Sequence, residues 1–243
     1  MLNTILHGDC LELMKDIPDK SIDMILCDLP YGTTACKWDT IIPFEPLWAC
    51  YKRIIKDNGA IVLTASQPFT SALVMSNIKM FKYEWIWEKH QGTNPMSAKI
   101  SPLKSHENIL VFGIGKLKYN PQMEKGNPYS GFNSQTFQSE VYGGGKSIHR
   151  ENKEGDRYPK TILRFTKDKG KRFHPTQKPV ALFEYLVKTY TNEGDTVLDN
   201  CLGSGTTAIA CINTKRNYIC MEKDKTYFDL STDRVKKHTG LFT

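Results

Sequence analysis

No apolar run in this sequence approaches the roughly 18–20 residues that a membrane-spanning helix needs. Its opening residues, Met1 to His7, have neither a basic leader nor a long apolar stretch. These absences predict no membrane span and no signal peptide. The seven cysteines are odd in number, scattered, and nowhere form Cys-x-x-Cys. That argues against a zinc site, any other metal site, and a disulfide framework, and for reduced thiols in the cytoplasm. No internal repeat or heptad pattern is visible.

What is present is 243 residues, 40% of them hydrophobic, enough for one large domain or a domain with an insertion. The net charge of +7 is concentrated: from Lys146 to Arg172 there are ten Lys/Arg against four acids, 10 − 4 = +6. A basic stretch of this kind suits a polyanion through phosphate contacts. It equally describes a solvated basic loop. The candidate phosphate contacts are Lys146, Arg150, Arg157, Lys160, Arg164, Lys171 and Arg172.

Residues 1–112 alternate strand-like and helix-like segments. Strands are expected at 4–7, 22–27, 60–65, 82–88 and 108–112, and helices over 10–17, 44–56 and 68–77. Asn58-Gly59 is read as the stop of the second helix. From 113 to 173 glycine, asparagine, serine and basic residues dominate, too long a stretch for an ordinary loop. Only 158–165 looks strand-like within it. Order resumes with a helix over 179–191, a strand at 196–199, a helix over 206–212, a strand at 217–221 and a helix over 226–237. Seven strands separated by helices predict an α/β fold with a seven-stranded, mostly parallel, doubly wound sheet. The domain division is 1–112 with 174–243, and an insertion at 113–173.

Two constellations carry chemistry. Asp28-Leu29-Pro30-Tyr31 follows the buried strand 22–27, at the strand end where open α/β sheets bind ligands. A carboxylate, a main-chain carbonyl and an aromatic face suit a flat ring bearing an amine. Asp28 as a helix cap and Tyr31 as a core aromatic are the plain readings, which their adjacency at a strand end outweighs. The second is Asp199-Asn200-Cys201-Leu202-Gly203-Ser204-Gly205-Thr206, a strand–glycine turn–helix unit, with Glu222 closing the next strand. Glu222 is placed to accept from a ribose. A dinucleotide would bring its pyrophosphate close to the Asp199 carboxylate, which repels it. S-adenosylmethionine, with an ammonium, a sulfonium and no phosphate, suits that carboxylate better.

Taken in chain order, these segments resemble the β-class, permuted amino-group DNA methyltransferases, in which an Asp/Ser/Asn-Pro-Pro-Tyr motif precedes the target-recognition region and the glycine-rich cofactor loop comes last. His174-Pro175-Thr176-Gln177-Lys178-Pro179 is similar to the family's segment before the helix leading to that loop. The resemblance implies a seven-stranded sheet in which the last strand neighbours the first. It implies that Asp28 and the carbonyl of Leu29 or Pro30 accept from the target amine, and that Tyr31 stacks on the base. Asp199, Asn200, Cys201, Gly203, Ser204, Gly205 and Thr206 would hold the methionine moiety with Thr176 and Lys178, Glu222 would hold the ribose, and Asp9 with Cys10 would meet the adenine. Leu29 stands where the family has its first proline.

The activity so implied is methyl transfer from S-adenosylmethionine to adenine N6 of a flipped-out base in double-stranded DNA. Region 113–173 would recognise the target. A homodimer and a cognate restriction nuclease are the partners that the family admits. Cytosine-N4 methylation, a catalytically silent DNA-binding protein on the same fold, and a dinucleotide-dependent oxidoreductase are the alternatives. Trp85 and Trp87 are read as core residues, His90 as a candidate DNA contact, and His106-Glu107 as family-like without an assigned role.

Overall fold

The computed structural model describes residues 2–34, 36, 39–93, 95–132, 138–139, 143–144, 149–166, 168 and 177–240. The chain divides into two compact units, one from residues 1–120 and 161–243, the other Pro121–Lys160.

The larger unit is built on one sheet. Its strands are β1 (Thr4–His7), β2 (Ile22–Cys27), β3 (Ile55–Ala65), β4 (Phe81–Thr93), β5 (Lys104–Phe112), β6 (Ile162–Arg164), β7 (Thr196–Asp199) and β8 (Asn217–Glu222). Their order is β1-β8-β7-β2-β3-β5-β4-β6. Only β5 runs against its neighbours. The sheet therefore has eight strands, one more than the seven expected. The eighth, β6, pairs parallel with β4 because Leu163 finds the same apolar layer as Trp85 and Trp87. As expected, the last strand lies beside the first, with Thr4 opposite Ile219.

The helices are α1 (Cys10–Leu13), α2 (Phe44–Ile54), α3 (Phe69–Ser76), α4 (Val180–Tyr190), α5 (Thr206–Asn213) and α6 (Lys225–His238). Strands β2 and β3 are apolar over Met24–Cys27 and Ala60–Leu63, because both faces are covered there. Ile25, Cys27, Ile61 and Leu63 face one layer with Leu47, Tyr51 and Ile54 of α2. Met24, Leu26, Ala60 and Val62 face the other with Leu186 of α4 and Ile209 of α5. Trp85 and Trp87 are core residues, as read from the sequence, their ring nitrogens donating to the Tyr190 hydroxyl (2.7 Å) and the Phe165 carbonyl (2.9 Å).

Several elements differ from the sequence reading. Helix α2 ends at Ile54, and β3 begins at once and runs through Asn58-Gly59. Ile55 pairs with Ile22 across a register shift, and a side chain at Gly59 would lie 2.8 Å from the Asp23 carbonyl. A close strand approach therefore demands glycine there, where the sequence suggests a helix stop. Strands β4 and β5 are also longer than 82–88 and 108–112, since their antiparallel pairing continues to Thr93 opposite Lys104 beyond the apolar core.

In the smaller unit, 129–132 pairs antiparallel with 149–152, and 124–125 with 156–157. Arg157 lies 4.8 Å from the Tyr129 ring centroid, and Lys125 pairs with Asp156 at 2.6 Å.

What positions the site is the sheet's switch point. From β2 the chain crosses to β3 on one side, and from β7 to β8 on the other. The adjacent carboxyl ends of β2 and β7 then open a crevice between the diverging crossovers. Asp28 and Asp199 stand at those two ends.

Candidate active site

The half-buried Asp28 collects three donors. Its Oδ1 accepts from the Tyr31 hydroxyl at 2.8 Å and from the Thr64 hydroxyl, and its Oδ2 accepts from Lys178 Nζ at 2.6 Å. Tyr31 also approaches the Thr64 hydroxyl at 3.0 Å, and its ring packs on Phe69 with centroids 5.2 Å apart. Burial, then the nearby Asp28 charge, pushes the Tyr31 phenol well above its usual range, so it stays a neutral donor. Leu29, which stands where the family has its first proline, is turned into the core and only 4% exposed.

Lys178 precedes α4 and is 5% exposed. Burial opposes its charge, but Asp28 and Glu107 outweigh burial and raise its pKa. Expected among the cofactor residues, it is placed on the Asp28 carboxylate.

Across the crevice, Asp199 ends β7. It accepts from the Cys201 amide at 3.0 Å and from the Thr207 hydroxyl. Burial pushes its carboxyl up to about 7 against those bonds. The turn that follows has φ 54° at Gly203 and 86° at Gly205. A side chain at Gly205 would also lie 3.4 Å from Ser231 of α6. Glycine is required at 205 by backbone hand and helix packing. Glu222 accepts from the Gly203 amide and from the Asp224 amide, both at 2.8 Å, and burial raises its pKa. Ser204 and Thr206 share a 3.0 Å hydroxyl contact, and Asn200 accepts from the Tyr51 hydroxyl at 2.6 Å.

Asp9 caps α1, accepting from the Leu11 amide at 3.0 Å, and pairs with Lys223 at 2.9 Å, which lowers its pKa. Beyond Tyr31, Asp39 accepts from the amides of Gly32 (2.9 Å), Thr33 (2.9 Å) and Thr34 (2.7 Å) and so fixes that loop.

All of these groups line or border one cavity of about 670 Å³, within the usual range for small-molecule sites. Asp9, Cys10, Asp28, Leu29, Pro30, Tyr31, Lys178, Asp199, Asn200, Cys201, Gly203, Ser204, Thr206 and Glu222 line it, so the two constellations face one space. Among the described residues its wall carries seven carboxylates against four lysines. That excess suits a cofactor with positive centres and repels a phosphate. The cysteines are all free, and burial pushes the Cys27 thiol up to about 12, which leaves it unreactive.

Sequence reasoning missed Thr64, Lys89 and Asp39, and gave Glu107 no role. Thr64 and Glu107 lie in strands whose residues look alike in sequence, and only the pairing of β2, β3, β5 and β4 brings Thr64 against Asp28 and turns Glu107 into the cavity. Of the basic candidates, Arg157 and Lys160 belong to the smaller unit, and Arg164 pairs with Glu88 at 2.7 Å. Lys146, Lys171, Arg172, Thr176 and the side chain of Arg150 lie outside the described residues. His90 is exposed.

Comparison with known proteins bears on this geometry. Over 97% of its length the chain is 29% identical to 69% of the Type II methyltransferase M.HinfI of Haemophilus influenzae. It is 28% identical over 96% of its length to 82% of the DNA adenine methyltransferase YhdJ of Escherichia coli K12. The crystal structure of the M1.HpyAVI–SAM complex superposes with a TM-score of 0.65 at 26% identity, covering 95% of this chain and 98% of that one. The family model described as DNA methylase, for N6 and N4 methyltransferases, matches residues 22–233. With Asp28–Tyr31 and the glycine turn after Asp199 both inside that span and facing one cavity, the chain belongs to the DNA methylase family.

Proposed function

We propose that this protein transfers a methyl group from S-adenosylmethionine to the N6 amine of an adenine swung out of double-stranded DNA. The observation that carries the reading is that Asp28 and Tyr31 share a cavity with Asp199 and Glu222.

The bound cofactor supplies an electrophilic methyl on its sulfonium. Asp199 and the 200–206 turn hold its methionine end, Glu222 accepts from its ribose hydroxyls, and Asp9 with Cys10 borders its adenine. For the target, a carboxylate offers about four lone-pair sites. Among the described residues Asp28 fills three, which leaves one on Oδ2 for the amine. The carbonyl of Leu29 or Pro30 takes the second amine hydrogen. These two acceptors localise the nitrogen lone pair and stand where positive charge develops. Holding amine and methyl in line supplies much of the rest. A duplex base has to leave its stack to reach Asp28, and stacking against Tyr31 returns about 1–3 kcal/mol of that cost.

Region 113–173, which contains the unit Pro121–Lys160 and the basic stretch, supplies phosphate contacts and target recognition. Reduced thiols fit a cytoplasmic enzyme, and no helix among the described residues is long and apolar enough to cross a membrane. A homodimer and a paired restriction nuclease belong to the same reading.

The test is methyl transfer to unmodified duplex DNA, with nucleosides resolved by mass spectrometry. N6-methyladenine is the expected product, lowered at least ~100-fold by Asp28→Ala. Asp at position 28, where the family also uses Ser, favours adenine over cytosine. N4-methylcytosine as the product would overturn the adenine assignment, and an undiminished rate in the variant would overturn the site.

A further inference from the structure

Behind Asp28 the charges alternate in a buried row. Asp28 Oδ2 meets Lys178 Nζ at 2.6 Å, Lys178 Nζ meets Glu107 Oε2 at 3.3 Å, and Glu107 Oε1 meets Lys89 Nζ at 2.5 Å. The Lys178, Lys89 and Glu107 side chains are 5%, 10% and 13% exposed. They come from separate elements. Lys178 precedes α4, Lys89 lies on β4 and Glu107 on β5. Trp87 stands opposite Glu107, which puts Lys89, two residues on, on the same face as Glu107. The Lys89 ammonium also rests 5.4 Å from the Trp87 ring centroid.

The row has a chemical consequence. Lys178 fixes the orientation of Asp28, but an ammonium against a carboxylate also drains the charge that the amine needs. It adds a positive charge beside a nitrogen that becomes positive during transfer and a methyl donor that starts positive. A buried lysine of unit charge with Asp28 as its only counter-ion would work against the reaction it orients. Glu107 supplies the second counter-ion. Attraction from Lys178 and Lys89 outweighs the burial that would otherwise protonate it, so it stays ionised.

We propose that Glu107 is a positioning residue for methyl transfer: it balances Lys178, so that the lysine orients Asp28 without cancelling its charge, while Lys89 anchors Glu107. The inference rests on the methyltransferase reading above. It assigns work to Glu107 and Lys89 that contact with the substrate does not require.

The experiment compares single-turnover methylation of duplex DNA, at saturating S-adenosylmethionine and DNA, in the wild type, Glu107→Gln, Lys178→Met and the double variant. Thermal unfolding of each by circular dichroism confirms folding. A wild type that methylates no DNA defeats the function proposed above. With an active wild type, the other outcomes bear on Glu107 alone. Glu107→Gln, which keeps the shape and removes the charge, should lower the rate at least ~10-fold, about 1.4 kcal/mol. Removing the unbalanced ammonium as well should return at least ~3-fold of that loss. A packing role alone predicts no such recovery. A single variant within twofold of wild type overturns the proposal, and so does a double variant no faster than Glu107→Gln. If Glu107→Gln does not fold, the comparison moves to the Lys178→Met background. There, adding Glu107→Gln should change the rate less than ~3-fold, and a further large loss overturns the charge balance.

Discussion

Cofactor affinity should depend on pH through Asp199. Burial lifts this carboxyl from 3.8 to about 7, and it must ionise before it attracts the cofactor's ammonium. With a midpoint of about 7, roughly one-tenth of the ligand-free protein is ionised at about pH 6 and roughly three-quarters at about pH 7.5. Binding should therefore strengthen about 8-fold over that interval, about 1.2 kcal/mol. The upper limit stays below the range in which an α-amino group itself titrates. Isothermal titration calorimetry at about pH 7 in two buffers of different ionisation enthalpy should register the release of about half a proton. Asp199→Asn should abolish both the proton release and the pH trend. The same shift acts on the ligand-free fold. Between about pH 4 and 7 the folded state holds a proton that the unfolded state gives up, so stability falls as pH rises through that window, by about 4 kcal/mol in all. A wild-type affinity that is flat from pH 6 to 7.5, or an Asp199→Asn variant with an unchanged slope, would refute the reasoning.

Three further outcomes follow from the geometry. Gly205→Ala should cost about 1–2 kcal/mol in urea unfolding, because residue 205 sits at φ 86° against Ser231. Leu29→Ala should cost about 2–5 kcal/mol through the cavity it leaves, while the folded variant keeps its single-turnover rate within about threefold. A collapse in that rate would show that the Leu29 side chain does more than pack. Asp39→Ala frees the amides of Gly32, Thr33 and Thr34 and should lower kcat/KM for DNA about 10-fold with cofactor affinity unchanged. An unaltered kcat/KM would show that the loop holds without it.

Much of the site was legible because local rules fix it. An apolar strand that ends in Asp28-Leu29-Pro30-Tyr31, and another that ends in Asp199 before a double-glycine turn, place their polar ends at a sheet edge wherever the sheet sits. Lys178 was legible only as a member of a motif. Its neighbour Asp28 is 150 positions away, so no spacing announces the pair. The strand reading failed at Ile55–Gly59 because pairing with β2 overrides the preference of Asn-Gly for a turn. It marked 158–165 as strand-like but left β6 out of the sheet, because three residues with one buried leucine give no sign of which strand they pair with.

The sequence by itself determined the order of the parts, the cofactor turn and the tetrad, since backbone hand, hydrophobic period and motif chemistry act over a few neighbouring residues. Only the tertiary structure decided that Thr64, Lys89 and Glu107 stand behind Asp28. Their charges and hydroxyls act through distances of about 3 Å across strands far apart in the chain, and burial, which sets how strongly those charges interact, exists only once the sheet is assembled.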